Sequence, residues 1–193
     1  MPVNSMNVLV GTPDQATTGA ILSAPIGTAL PTKATDTVDA AFTDCGYISE
    51  DGLEFAPDYS TTDIPDWSGA TVRRLLEQFT GELTWTMLET NEAAMKVAFG
   101  DDYVTAVGAT TSHGTQMTVQ IGAHQPARKS WAFKMKDGNA KILIIAPNAQ
   151  ITSVDTVTFA SNDAIKWPVT LTTYADANGH NLYIYTDDGV FTS

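Results

Sequence analysis

The sequence is short of the features that would direct it to a membrane or to a disulfide framework. It holds one cysteine, Cys45, among 193 residues, which excludes an intramolecular disulfide and a cysteine-rich zinc site. The N-terminus has neither the basic nor the sustained apolar segment of a secretory signal, and no apolar run is long enough to span a bilayer. We therefore expect no membrane insertion, and the single thiol fits synthesis in a reducing cytoplasm.

Basic residues are also scarce. Ten lysines and arginines stand against 22 acidic residues, so the formal net charge is −12. A chain with this charge repels nucleic acid and anionic membranes and does not bind them. Acidity of this kind also serves solubility alone, and composition does not separate the two explanations.

Motifs for catalysis or cofactor binding are missing. The three histidines are scattered, and the sequence has no zinc-protease motif, no nucleophile elbow, no phosphate-cradling loop and no dinucleotide fingerprint. The adjacent acids at 101–102 and 187–188 lack the spacing of a calcium loop. We expect no enzyme, cofactor or metal site, although a catalytic triad assembled from distant residues stays open as an alternative.

What the sequence does have is a long alternating run at 71–88, followed at once by a helical pattern. Alternation with period two predicts a strand with one apolar and one polar face. The run Thr90-Asn91-Glu92 can cap a helix, predicted over 90–100, which Gly100 closes in the left-handed conformation and which covers the apolar face. The apolar positions are Phe79, Leu83, Trp85 and Met87, with Gly81 between them, and the polar positions are Gln78, Thr80, Glu82, Thr84 and Thr86.

Shorter alternating runs along the rest of the chain predict a single domain over 1–193. Asp137 and Gly138 signal a hairpin between two of these strands. The fold class is mainly β: an antiparallel sandwich or strongly curved sheet of about seven to nine strands with one packed helix. Residues 1–37 predict an extended arm with at most one short strand, and residues 58–70 a long polar loop. The other predicted strands lie at 39–47, 53–56, 115–121, 130–136, 141–146, 154–160, 169–174 and 182–186.

An ordered series of segments resembles a known family. The series is ISEDG at 48–52, DIPDWSGATVR at 63–73, FTGELTW at 79–85 and LETNE at 88–92. It is similar to the major tail tube proteins of long, non-contractile-tailed (siphovirus-type) bacteriophages of actinobacteria. The resemblance covers about the first half of the chain, and the remainder follows it in general character.

The resemblance implies a structural virion protein. Six copies would form a ring, and stacked rings would form the tube that carries DNA from the capsid to the host cell. It also implies assembly in the bacterial cytoplasm, a place in the virion tail, and contacts with the tape measure protein and the tail terminator and distal tail proteins.

On this resemblance, polar strand faces line the bore of the tube. A bore without lysine or arginine leaves DNA unbound and able to slide. Threonine is also common on strand faces because of its β-propensity, so the pattern alone does not establish a lumen. The candidate lumen-lining residues are Glu82 first, and then Thr80, Thr84, Gln78, Gln116, Thr118 and Gln120.

Residues around the predicted loop are candidates for contacts between subunits. Large apolar side chains on a loop often mark a partner, although Trp67 could instead fold back under its own loop. Arginine forms bidentate pairs with carboxylates, so the two arginines could bridge subunits. The inter-subunit candidates are Asp63, Ile64, Pro65, Trp67, Arg73 and Arg74.

A second function class stays open at this stage. An acidic β-sandwich could be a different virion component, such as a capsid decoration or baseplate protein, or a carbohydrate-binding module. The predicted arm at 1–37 and the loop at 58–70 favour the tube, because a tube subunit needs segments that reach its neighbours and a binding module gains little from them.

Overall fold

The computed structural model describes residues 8–14 and 19–191, so parts of the predicted N-terminal arm, at 1–7 and 15–18, lie outside the described residues. One α-helix, α1, spans Glu92–Phe99, and a short 3-10 turn follows it at Asp101–Tyr103. The strands of the described residues are β1 Thr12–Pro13, β2 Ile21–Pro25, β3 Thr43–Asp44, β4 Ile48–Pro65, β5 Thr71–Met87, β6 Val104–Val107, β7 Gln116–Val119, β8 Lys129–Asp137, β9 Ala140–Val154, β10 Trp167–Thr173 and β11 Tyr183–Asp187.

Nine of these strands form one antiparallel sheet. Its order is β3-β2-β8-β9-β10-β5-β4, with β1 added beside β8 and β11 beside β9. The strands β6 and β7 pair only with each other. The predicted fold class, mainly β and antiparallel with one packed helix, is confirmed.

The sheet folds back on itself along β9. The first part of this strand pairs with β8 and β11, and its last part pairs with β10. Trp85 of β5 therefore meets Trp131 of β8 across the core, with ring centroids 5.4 Å apart. Helix α1 lies on the same side, because its Met95 and Ala98 belong to the cluster that contains Trp85. Burying each large apolar side chain in such a core stabilises the fold by about 1.5–3 kcal/mol.

Helix α1 begins at Glu92, two residues after the predicted start at 90. The Asn91 side chain accepts a hydrogen bond from the N–H of Ala94 at 2.9 Å, and the preceding Thr90 lies outside the helix. Gly100 ends the helix with φ 99° and ψ 149°; its φ is positive, but its ψ is not that of a left-handed helix, so the predicted left-handed helical cap is wrong. Its N–H still donates to the carbonyl of Lys96 at 3.0 Å.

The described part of the predicted arm at 1–37 contains the short strands β1 and β2, and β2 belongs to the main sheet. This strand pairs with β8 inside the main sheet, and Ile21 and Leu22 are buried in two different apolar clusters. A strand covered on both faces has consecutive apolar residues and no alternation, which is why the short run at 20–24 gave a weak signal. The second cluster lies under the segment that carries Leu30 and Phe42.

The predicted strand at 154–160 is also absent. Strand β9 is longer than predicted and ends at Val154, which pairs with Val169 at the start of β10. Beyond Val154 no described strand pairs with the chain, and it continues to residue 166 without a strand. Phe159 of this connection packs edge-on against Trp167, with ring centroids 6.3 Å apart.

Candidate functional site

The segment 58–70, predicted to be a loop, is mostly the end of a long hairpin made by β4 and β5. Pairing continues from Leu53 opposite Trp85 to Pro65 opposite Thr71, and the chain turns only at 66–70. Because this segment is polar and rich in proline, the sequence pattern did not predict a strand there. Proline is tolerated there because β4 is an edge strand, whose outer backbone N–H groups have no partner strand to bond.

Asp66 closes the turn of the hairpin. Its Oδ1 accepts hydrogen bonds from the N–H groups of Ser68 and Ala70, at 2.8 and 3.0 Å, and from the Ser68 hydroxyl at 2.6 Å. These bonds, the Ser68 side chain first, lower the pKa of Asp66. Asp66 is therefore occupied by its own turn and does not pair with an arginine in this structure.

Asp63 and Arg74 lie directly opposite each other near the tip of the hairpin. The Arg74 Nε donates to Asp63 Oδ1 at 2.7 Å, and its Nη2 donates to Oδ2 at 3.0 Å. This bidentate pair lowers the pKa of Asp63 and raises that of Arg74. Within this chain the pair joins the two strands of one hairpin, and a contact of these residues between subunits stays a prediction.

Trp67 projects from the tip of the hairpin. Its relative exposure is 102%, so the alternative that it folds back under its own loop is wrong. Tyr59 contacts Phe79 on the hairpin, with ring centroids 5.0 Å apart, and is itself mostly exposed. Other exposed apolar side chains on the same hairpin are Ile64, Val72, Leu75 and Leu76. A concentration of bare apolar surface like this is typical of an interaction site.

The register of the strands creates one polar face on the sheet. Residues directly opposite each other on antiparallel strands point to the same side. Glu82 of β5 lies opposite Ala56 of β4 and Thr172 of β10, and Thr172 lies opposite Gln150 of β9. We call this side, over the stretch from Glu54 to Ser60 of β4, the polar face; its members are Glu54, Ala56, Asp58, Ser60, Gln78, Thr80, Glu82, Thr84, Thr86, Gln150, Thr152, Ser153, Pro168, Thr170 and Thr172.

Three exposed carboxylates are the charged groups of the polar face. Glu54 and Asp58 flank Ala56 on β4, which makes both of them diagonal neighbours of Glu82, about 7–8 Å away by strand geometry. No lysine or arginine occupies a position of the polar face between Glu54 and Ser60. Nearer the tip of the hairpin, Arg73 lies opposite Ile64, which has the same parity along β4. The sequence singled out Glu82 but missed Glu54 and Asp58, because alternation shows which side of one strand is polar and not which strands pair.

The predicted lumen candidates do not all share this face. Gln78, Thr80, Glu82 and Thr84 do, whereas Gln116, Thr118 and Gln120 lie on or just after β7, in the separate hairpin. The neighbouring Met117 and Val119 pack against the core cluster that also contains α1. The β7 residues therefore lie on the apolar side of the main sheet, and the two sets do not form one surface.

Arg128 lies at the border of the polar face. Its guanidinium stacks on the ring of Tyr174, 3.8 Å from the centroid. The Tyr174 hydroxyl donates to Gln150 Oε1 at 3.2 Å, and Gln150 Nε2 donates to the carbonyl of Pro126 at 2.7 Å. The neighbouring Lys129 pairs with Asp101, but Arg128 has no ion pair with any described carboxylate.

Other kinds of site find little support in the described part of the chain. Over residues 8–14 and 19–191, no three histidine, cysteine or acidic side chains converge as metal ligands would. In the same ranges, no helix combines the length and apolarity that crossing a membrane requires. Cys45 is fully buried, and desolvation raises the pKa of its thiol to about 12. A buried thiol of this kind is not a reactive nucleophile.

Comparison with known proteins gives one family match. A family model described as phage tail tube protein matches residues 1–192. No curated protein matches the chain.

Similar solved structures include two from injection systems and one from a gene transfer agent. The tube-terminating cap of the anti-feeding prophage is 14% identical with a TM-score of 0.46, covering 93% of this chain and 94% of that chain. A chain of the sheath–tube complex of the PVC extracellular contractile injection system is 12% identical with a TM-score of 0.44, covering 97% and 99%. A chain of the tail of a GTA particle is 10% identical with a TM-score of 0.42, covering 81% and 91%.

Proposed function

Because this chain belongs to the phage tail tube protein family, we propose that six copies form a ring and that stacked rings form a tube for DNA. In this proposal the polar face lines the bore, and the apolar side of the sheet, with α1 over it, forms the wall. The protein is then a structural component of the virion tail and has no catalytic role.

The observation that carries this proposal is the charge of the polar face. Its charged groups are Glu54, Asp58 and Glu82, and its remaining positions are uncharged. Double-stranded DNA carries one negative charge per roughly 1.7 Å of its axis, so exposed cations would bind it at every ring. Carboxylates among threonine and glutamine side chains repel DNA over roughly 8–10 Å, which is enough to keep it off the wall of a narrow channel.

The β4–β5 hairpin supplies the contact between copies in this proposal. It extends beyond the core, its tip carries Trp67, and its exposed apolar side chains have no cover in the described part of the chain. The Asp63–Arg74 pair and the Asp66 turn keep it in one conformation, so little entropy is lost when it binds. We propose that the tip of the hairpin packs against a neighbouring copy in the same or the next ring.

The type of phage, the place of assembly and the further partners are proposed from the series of segments between 48 and 92. We propose a long, non-contractile tail of an actinobacteriophage, assembled in the host cytoplasm. The further partners are the tape measure protein inside the tube and the terminator and distal tail proteins at its ends.

Negative-stain electron microscopy of the purified protein at increasing concentration tests the proposal. We expect rings or filaments with six-fold symmetry in projection. A protein that stays strictly monomeric at all concentrations would contradict the tube and would favour the alternative of an acidic binding module.

A further inference from the structure

The turn before β11 contains a chemically labile step of the chain. Asn178 is the only asparagine in the sequence that glycine follows, and both residues are exposed. We propose that Asn178 is a site of spontaneous deamidation, that Asp176 suppresses the reaction in the folded protein, and that the product weakens the attachment of Tyr183. The other reactant is water, and no enzyme is required.

The reaction joins two neighbouring residues. The backbone nitrogen of Gly179 loses its proton and attacks the side-chain carbon Cγ of Asn178; a C–N bond forms, and the side-chain amide takes up a proton and leaves as ammonia. The resulting succinimide ring adds water, and one of its two ring C–N bonds breaks to give aspartate or isoaspartate. Glycine favours the attack because it has no side chain to obstruct it and its backbone readily reaches the required geometry.

The folded turn holds Gly179 in an unreactive geometry. Its N–H donates to the carbonyl of Asp176 at 3.0 Å. Asn178 has a negative φ, because the positive values in the described residues belong to glycines, so the turn is of type I. In such a turn the ψ of Asn178 is about 0°, which sets the Gly179 nitrogen roughly 120° from Cβ about the Cα–C bond. Ring closure requires these two atoms to be nearly eclipsed, so the turn opposes it.

The Asp176 carboxylate keeps the turn closed. Its Oδ1 accepts hydrogen bonds from the N–H groups of Asn178 and His180, at 2.8 and 3.0 Å, and its Oδ2 accepts one from the Tyr183 hydroxyl at 2.7 Å. Attack on Cγ requires the turn to open, so each of these bonds slows the reaction. The carboxylate also disfavours loss of the Gly179 proton, because it binds the N–H groups on both sides of Gly179 and repels a negative charge between them.

The product carries a second carboxylate beside the first. The side-chain nitrogen of Asn178 lies 3.5 Å from Asp176 Oδ2 and 3.5 Å from the Tyr183 hydroxyl. A carboxylate at this position repels Asp176 and competes for the Tyr183 hydroxyl. Tyr183 packs against the second apolar cluster and lies opposite Ile145 of β9, so the modification affects the attachment of β11 to the sheet.

Peptide mapping by mass spectrometry during incubation at mildly alkaline pH tests the site. We expect Asn178 of native wild type to convert at least about tenfold more slowly than in urea, because the turn must first open. Folded Asp176→Ala should convert several times faster than native wild type. Asp102→Ala removes an exposed carboxylate outside the turn and should convert like wild type. Within each sample Asn181, which precedes leucine, is the internal control and should convert far more slowly than Asn178 does in urea.

Thermal melting verifies that each variant is folded. Equal rates in native and denatured wild type would show that the turn gives no protection, and no conversion at Asn178 in urea would remove the site; either result overturns the proposal. This comparison uses wild type alone and therefore holds even if Asp176→Ala does not fold. Equal rates in folded Asp176→Ala and Asp102→Ala would overturn the role of the Asp176 carboxylate.

Asn178→Asp carries the carboxylate of the product and tests its effect on β11. We expect this variant to melt at a lower temperature than wild type at neutral pH. The difference should shrink in a Tyr183→Phe background, where the contact is already lost. A melting temperature equal to that of wild type would overturn the effect on Tyr183. None of these measurements requires a ring, so their outcome is independent of the proposed function.

Discussion

Trp85 and Trp131 meet with their ring centroids 5.4 Å apart, although their strands are three positions apart in the sheet. Neighbouring strands are spaced by about 4.8 Å, so a flat sheet would hold the two rings roughly 14 Å apart. The contact is possible because the sheet folds over on itself along β9. Phe133 completes the group, with its ring 5.7 Å from that of Trp85.

Trp85→Ala should destabilise the monomer strongly. The side chain is buried among Trp131, Phe133 and Leu83, and an alanine would leave a cavity that the rigid sheet cannot close. We expect the free energy of unfolding to fall by about 3–5 kcal/mol. Denaturant unfolding at a concentration where the protein is monomeric measures this, and a loss below about 1 kcal/mol would contradict the folded-over core.

Trp67→Ala should weaken assembly and leave the stability of the monomer nearly unchanged. Its side chain has no cover, so we expect the free energy of unfolding of the monomer to change by less than about 0.5 kcal/mol. If the tip of the hairpin packs against a neighbour, the concentration needed for assembly should rise by about tenfold or more, because buried tryptophans often dominate interfaces. Sedimentation and thermal melting compare the two effects, and an equal loss of both would place Trp67 in the core of the fold.

Glu82→Lys tests whether the polar face lines a bore. A lysine there would place a ring of cations inside the tube, so variant tubes should retain DNA at low salt and release it as the salt concentration rises. Asp188→Lys makes the same charge change in an exposed turn outside the polar face and serves as the control. Co-sedimentation of DNA with tubes measures retention, and equal retention by both variants would remove the polar face from the lumen.

Asp176 makes stability depend on acid pH. Its carboxylate accepts hydrogen bonds from the Tyr183 hydroxyl at 2.7 Å and from backbone N–H groups, which lower its pKa from 3.8 to about 2. The folded state thus favours the ionised form, so this stabilisation is present above about pH 4 and is lost as the pH falls through 2. Thermal melting should therefore show that Asp176→Asn lowers the melting temperature at pH 7 and that the difference from wild type shrinks toward pH 2.

A second variant isolates the cause of this shift. Tyr183→Phe removes the largest contribution, so NMR titration should find the pKa of Asp176 moved up toward 3.8. An unchanged pKa in Tyr183→Phe would show that the backbone donors alone produce the shift.

Cys45 should be inert in the folded protein. With a pKa of about 12, the fraction of thiolate at pH 8 is on the order of 10⁻⁴, and burial also blocks access of the reagent. We expect reaction with a thiol reagent to become fast only in denaturant. Rapid modification of the native protein would show that the structure around Cys45 opens readily.

Sequence patterns correctly predicted those parts of the fold and of the site that depend on a single strand or a single helix. Alternation at 79–87 correctly separated the buried Leu83 and Trp85 from the polar Glu82, and the capping run at 90–92 marked the start of α1 to within two residues. The same rules failed at 58–65, because the polar residues of β4 become a strand only when β5 lies beside them. They showed β2 only as a possible short strand of the arm, since a strand buried on both faces loses its alternation.

By itself, the sequence determined the fold class, the single helix, the acidity and the apolar and polar sides of β5. All of these depend on propensity, periodicity or composition, which neighbouring residues in the chain specify. Only the tertiary structure decided that Glu54 and Asp58 join Glu82, that β7 lies apart from that face, and that Asp63 binds Arg74. These are relationships between distant segments, and cross-strand register depends on packing and hydrogen bonding across the whole sheet, which no local pattern encodes.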